Sequence, residues 1–85
     1  MNWDELNGKL RRVVPELAPG LPVSEVQDIC EYVDHDEPGL AFEMLCTQLY
    51  EHDAGIRSET VARLAELGVA MGLDPRQWQM LRVSP

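Results

Sequence analysis

The sequence predicts an all-α fold, a compact bundle of four to five short helices in a single domain over residues 1–85. Three observations lead there. Apolar residues recur at helical spacing through nearly the whole chain, no segment alternates with period two, and prolines and glycines gather between the periodic stretches. A chain of 85 residues is enough for one domain. Such a domain buries roughly 60% of the surface its unfolded chain exposes, which leaves little volume for a deep substrate pocket.

The elements follow in order. Trp3, Leu6, Leu10 and Val13 or Val14 form a helical stripe, and Pro15 places the end of this first helix just before it. The stretch Pro15–Pro22 holds three prolines and a glycine and reads as a connector. Ser24 is the expected N-cap of a second helix reaching about His35, with Val26, Ile29, Cys30 and Val33 on its buried face. After the polar break Asp34–Gly39, Pro38 suits the first turn of a third helix that runs to about His52. That helix is apolar on a wide arc, with Leu40, Ala41, Met44, Leu45 and Leu49 flanked by Phe42, Cys46 and Tyr50, and is expected to be the central and most buried one. Asp53-Ala54-Gly55 ends it. Ser58 then caps a fourth helix carrying Val61, Leu64, Ala65, Gly68 and Met71, with Gly72 as its C′ residue. Asp74-Pro75 opens a last short helix bearing Trp78 and Leu81.

Charge narrows the function. The chain has 15 Asp and Glu against 7 Lys and Arg, a formal net charge of −8. Phosphate neutralisation needs Lys and Arg, so direct nucleic-acid binding and docking to an anionic membrane are disfavoured. Between Arg12 and Arg57 there is no Lys or Arg, while Glu16, Glu25, Asp28, Glu31, Asp34, Asp36, Glu37, Glu43, Glu51 and Asp53 all fall there. Five of the seven cations lie in the end segments, Lys9 to Arg12 and Arg76 to Arg82. Solubility alone does not require such segregation.

Cys30 and Cys46 sit inside helical apolar patterns, spaced like neither a zinc knuckle nor a redox pair, and read as reduced core thiols. The N-terminal MNWDELNGKLRR lacks the apolar stretch of a signal peptide, and no apolar run approaches the ~20 residues a membrane helix needs. A cytoplasmic location is the expectation.

Glu31 and His35 share a helix face and, with Asp34 or Asp36, have the donor types of a divalent-metal site. A solvated corner serving the next helix N-terminus explains the same residues more simply, so no metal and no cofactor are assigned. A carboxylate pair for glycoside hydrolysis would need one carboxyl in an apolar pocket, and only Glu43 stands inside an apolar run. Ser24 and Ser58 lack a nucleophile-elbow context, and there is no glycine-rich phosphate loop. Acyl carrier proteins, also small, acidic and helical, carry their prosthetic group on serine in an Asp-Ser-Leu context; here the contexts are Val23-Ser24-Glu25 and Arg57-Ser58-Glu59. The chain is therefore read as a binding protein, not an enzyme.

The candidate binding residues are Glu31, Tyr32, Asp34, Asp36, Glu37, Tyr50, Glu51 and Asp53. Asp28, Glu31 and His35 make a polar stripe on the second helix, and Tyr32, Phe42 and Tyr50 lie among the charges. Aromatic anchors surrounded by carboxylates suit a basic protein partner, because charge speeds encounter and aromatics hold the complex. The competing reading keeps Phe42 and Tyr50 in the core and leaves the charges only to solubilise.

The run EYVDHDEPGLAFEMLCTQLYEHD, followed by ELGVAMGLDPRQW, resembles the MafI-type immunity proteins of bacterial polymorphic toxin systems. The resemblance covers roughly residues 31–81. It rests on Glu37-Pro38-Gly39-Leu40-Ala41, on Leu45-Cys46 with Gln48-Leu49-Tyr50-Glu51, and on Gly72-Leu73-Asp74 with Trp78. It does not include the N-terminal third, residues 1–22. It implies a small helical cytoplasmic protein that neutralises a cognate toxin domain. The chemistry of that toxin is not implied by the resemblance; an acidic inhibitor points to a basic nuclease surface. A general acidic interaction or regulatory module without a toxin is the alternative.

Overall fold

The computed structural model describes residues 1–84 and has the order α1 (Trp3–Leu17), a 3₁₀ turn (Ala18–Gly20), α2 (Val23–Asp34), α3 (Pro38–Glu51), β1 (Ile56–Arg57), α4 (Ser58–Ala70), α5 (Arg76–Gln79) and β2 (Val83–Ser84). The expected all-α bundle is present. Its one addition is a two-residue parallel pairing of β1 with β2, Ile56 opposite Val83 and Arg57 opposite Ser84. No periodicity can announce strands that short.

Local sequence explains most of the helix ends. Asn2 caps α1, accepting from the Glu5 amide at 2.8 Å. Pro15 does not end that helix, contrary to expectation. Its ring is exposed and only one amide donor is lost, while burial of Val13, Val14 and Leu17 holds the last turn. Ser24 and Ser58 are not caps either. The N-cap positions are Pro22 and Arg57, neither of which makes a side-chain cap bond. Arg57 already has extended backbone because it pairs in β1, so the strand delivers the chain directly into α4.

Three helices end in the same way. In each, the C″ amide bonds back to the C3 carbonyl and the C′ amide to the C2 carbonyl, the Schellman pattern. These pairs are Glu37 to Tyr32 with Asp36 to Val33, Ala54 to Leu49 with Asp53 to Tyr50, and Leu73 to Gly68 with Gly72 to Val69. The left-handed C′ residue is Gly72 after α4, as expected, but Asp36 after α2 and Asp53 after α3, with φ of 59° and 49°. Aspartate tolerates this region better than most non-glycine residues.

One hydrophobic core runs through the bundle. The N-terminal third belongs to it fully, since Leu6, Leu10, Val13, Val14 and Leu17 of α1 are all buried. Ala41, Phe42, Leu45, Cys46 and Leu49 of α3 pack against them, together with Ile29 and Val33 of α2 and Leu64 and Leu67 of α4. Phe42 meets Trp78 edge to face, with centroids 5.9 Å apart.

Three apolar residues stand where the periodicity did not put them. Trp3, the first residue of α1, is 52% exposed. Cys30 is exposed, whereas its stripe neighbours Ile29 and Val33 are buried. Leu40 is 47% exposed, since α3 has more apolar surface than its neighbours can cover.

Candidate acidic docking groove

Helices α2 and α3 pack side by side and leave a groove of about 470 Å³ between their outer edges. Asp28, Glu31 and Tyr32 line it from α2 with His35 at that helix's C-cap, and Leu40 and Met44 line it from α3 with Glu37 at that helix's N-cap. The period of α2 accounts for its wall: Asp28, Glu31 and His35 fall at i, i+3 and i+7, so they share one face. Leu40 and Met44 fall at i and i+4, so their side chains sit one turn apart on the facing edge.

The groove continues past Tyr32, Leu40 and Met44 into a stretch of about 260 Å³ that adds Glu43, Thr47 and Gln48. There it meets a cross-helix tie. His52 Nε2 lies 3.2 Å from a Glu25 oxygen, and the Gln48 amide, with its nitrogen turned toward α2, also donates to Glu25. Thr47 borders a separate hollow of about 290 Å³ on the other side of α3, lined by Cys46, Tyr50, Glu51, Gln77 and Met80 as well. The exposed ridge of α3 therefore stands between two concave surfaces.

Electrostatics separates the carboxylates into two groups. Several are already paired: Asp34 with Arg11 at 3.6 Å, Asp53 with Arg82 at 3.3 Å, and Glu16 with Arg63 at 2.6 Å. Asp36 accepts from the Asn7 amide at 2.6 Å. By contrast Asp28, Glu31, Glu37 and Glu43 make no ion pair among the described residues, and all four line the α2–α3 groove. No Lys or Arg lines it. Lys9, Arg12 and Arg63 line a different hollow, between α1 and α4.

The eight residues expected to form one binding surface are thus divided. Glu31, Tyr32 and Glu37 line the groove, and Tyr50 and Glu51 line the hollow beyond the α3 ridge. Asp34, Asp36 and Asp53 do not join them. Asp34 faces Arg11 beside Val14, Pro15 and Cys30; Asp36 is held by Asn7; Asp53 lies past the end of α3 against Arg82. Each is withdrawn by a residue far along the chain, which no local pattern can reveal. Neither Asp36 nor Glu37 caps α3 with its side chain. No group of three or more His, Cys, Asp or Glu among the described residues is arranged to hold a metal.

Asp28, His35, Leu40, Glu43 and Met44 also line the groove and lie outside the eight expected site residues. Leu40 and Met44 lie inside the wide apolar arc of α3, so periodicity assigns them to the core. Phe42, the third aromatic among the charges, is fully buried. Burial pushes the Cys46 thiol up to about 12. At the far end of the molecule, the hydrogen bond from the Arg76 side chain holds the Asp74 carboxyl below its usual value.

The groove offers charge and apolar contact. Among the described residues no helix is long and apolar enough to cross a membrane. Compared with known protein families, curated proteins and solved structures, the chain matches none.

Proposed function

We propose that this chain is a cytoplasmic immunity protein that binds and neutralises a cognate secreted bacterial toxin, with a nuclease domain as the toxin class its charge fits best. The observation that carries the reading is the set of four unpaired carboxylates on both walls of one groove with an apolar floor. Carboxylates without an intramolecular cation are available to a basic partner. A nucleic-acid-cleaving toxin presents such cations, because its own substrate is a polyanion. Two of the segments that resemble MafI-type immunity proteins support the same surface: Glu37–Ala41 opens the groove, and Gln48–Glu51 runs from its far end to the α3 ridge.

Co-expression with the toxin domain encoded by the adjacent gene tests this. Wild type should protect cells. Glu31→Gln/Glu37→Gln should weaken protection and slow association by about tenfold at low salt, while Arg76→Ala, at an exposed Asp74 pair, should protect fully. The Asp34 and Asp36 carboxylates suit this test less well, since each already has a partner within the fold. If wild type neutralises no neighbouring gene product, the immunity reading falls and the general interaction module takes its place. If the Glu31/Glu37 variant protects and associates like wild type, the acidic groove is not the binding site.

A further inference from the structure

We infer that the α2–α3 groove receives a basic amphipathic helix of the partner, with its apolar stripe on the groove floor and Lys or Arg on both flanks; this rests on the groove being the partner-binding site. Three features point to a helix and not a strand. Both walls are α-helices whose backbone groups are bonded within each helix, so the groove has no free edge to extend by strand pairing. The floor residues Leu40 and Met44 lie one helical turn apart, about 6 Å along the α3 axis. That spacing matches side chains at i and i+4 of a docked helix, with Tyr32 facing them from α2. Met44 adds an adaptable surface that accepts anchors of differing shape.

The walls decide the flanking charges. Asp28 and Glu31 stand on the α2 side and Glu43 on the α3 side, with Glu37 at the mouth. A helix lying between them meets carboxylate on both flanks, so a stripe bordered by cations on one side only would leave one wall uncompensated. A second copy of this chain does not fit. Its most basic helix, α1, keeps its apolar stripe in the core, and Lys9 and Arg11 are engaged with Glu66 and Asp34.

The test is fluorescence anisotropy with a labelled peptide of about 18 residues, long enough to form a helix. It carries leucine at helical i, i+4 and i+7 spacing, lysine on both sides of that stripe, and alanine elsewhere. Two comparison peptides have the same composition with scattered leucines, or glutamate in place of lysine. The striped lysine peptide should bind saturably and at least about tenfold more tightly than either. Leu40→Ser, at a half-exposed position whose loss leaves the core intact, should weaken it about tenfold, and so should the wall reversal Glu43→Lys. Trp3→Ser, which removes an exposed apolar side chain elsewhere, should bind like wild type. Circular dichroism confirms that each variant is folded. Equal binding of the scattered peptide, or full affinity in both groove variants, overturns the helix-in-groove mode. Toxin neutralisation is read separately: protection by wild type with no stripe preference removes this mode of docking and leaves the immunity reading standing.

Discussion

Trp78 lies directly on the backbone of α4 at Gly68. A Cβ added to Gly68 would fall 2.6 Å from ring carbons Cε3 and Cη2 and nearer still to Cζ3. The absence of a side chain at Gly68 thus lets α5 dock on α4, which in turn sets the Trp78 ring edge-to-face on Phe42. Gly68→Ala should cost at least about 2 kcal/mol despite the better helix propensity of alanine, because a core ring must move. Gly8, inside α1 with open space around its Cα, is the contrast: Gly8→Ala should gain about 0.5–1 kcal/mol. Urea unfolding of both variants checks the pair. Tryptophan emission in a Trp3→Phe background reports the displaced ring, and a neutral Gly68→Ala would mean that Trp78 does not pack there.

Leu45 and Leu40 lie on one helix, the first fully buried and the second half-exposed. Leu45 is enclosed, and Leu45→Ala should lower stability by about 2–5 kcal/mol. Leu40→Ala should change it by less than about 0.5 kcal/mol. Denaturant midpoints decide; a large loss at Leu40 would show that the groove floor is core.

The two cysteines should react differently. Cys30 is exposed, and Cys46 is buried with its thiol held protonated, so native protein should show one fast-reacting thiol and unfolded protein two. Cys46 also gives stability a pH dependence. In the unfolded chain the thiol loses its proton above its ordinary value of 9.0, whereas the folded thiol keeps it until about 12. Its contribution is therefore complete below pH 9 and declines above it, by about 1.4 kcal/mol per pH unit. Cys46→Ala should flatten the fall in stability between pH 9 and 10.5 relative to wild type, and an unchanged slope would show that another group governs it.

Asn7 and Asp36 join α1 to the α2–α3 turn through a single short hydrogen bond. Asn7 is buried, and its Oδ1 has no protein partner, so Asp36 satisfies only its amide end. A double-mutant cycle with Asn7→Ala and Asp36→Gly should give a coupling of about 1.5–3 kcal/mol, the range for a bond to a charged acceptor. Glycine suits the left-handed backbone at position 36, so the Asp36→Gly variant isolates the lost bond without adding strain. A coupling near zero would assign both residues to the turn alone.

By itself the sequence determined the helices and much of their punctuation. Pro38 in the first turn of α3, Gly72 in the left-handed turn after α4, and the 3.6-residue stripes of α1 and α4 are local consequences of backbone sterics and burial. The same local rules place Asp28 and Glu31 on one face of α2, in line with His35 at its C-cap. Tertiary structure alone decided which side of α3 faces solvent. An arc that includes Leu40, Met44, Leu45 and Leu49 offers several faces to the core, and only the packing of α1, α2 and α5 chooses among them. It also decided which carboxylates remain available. Asp34 and Asp53 are paired with Arg11 and Arg82, partners 23 and 29 positions away, and β1 finds β2 across 27 positions. A carboxylate is free or paired according to what the fold brings within about 4 Å of it, and that distance has no signature in the neighbouring residues.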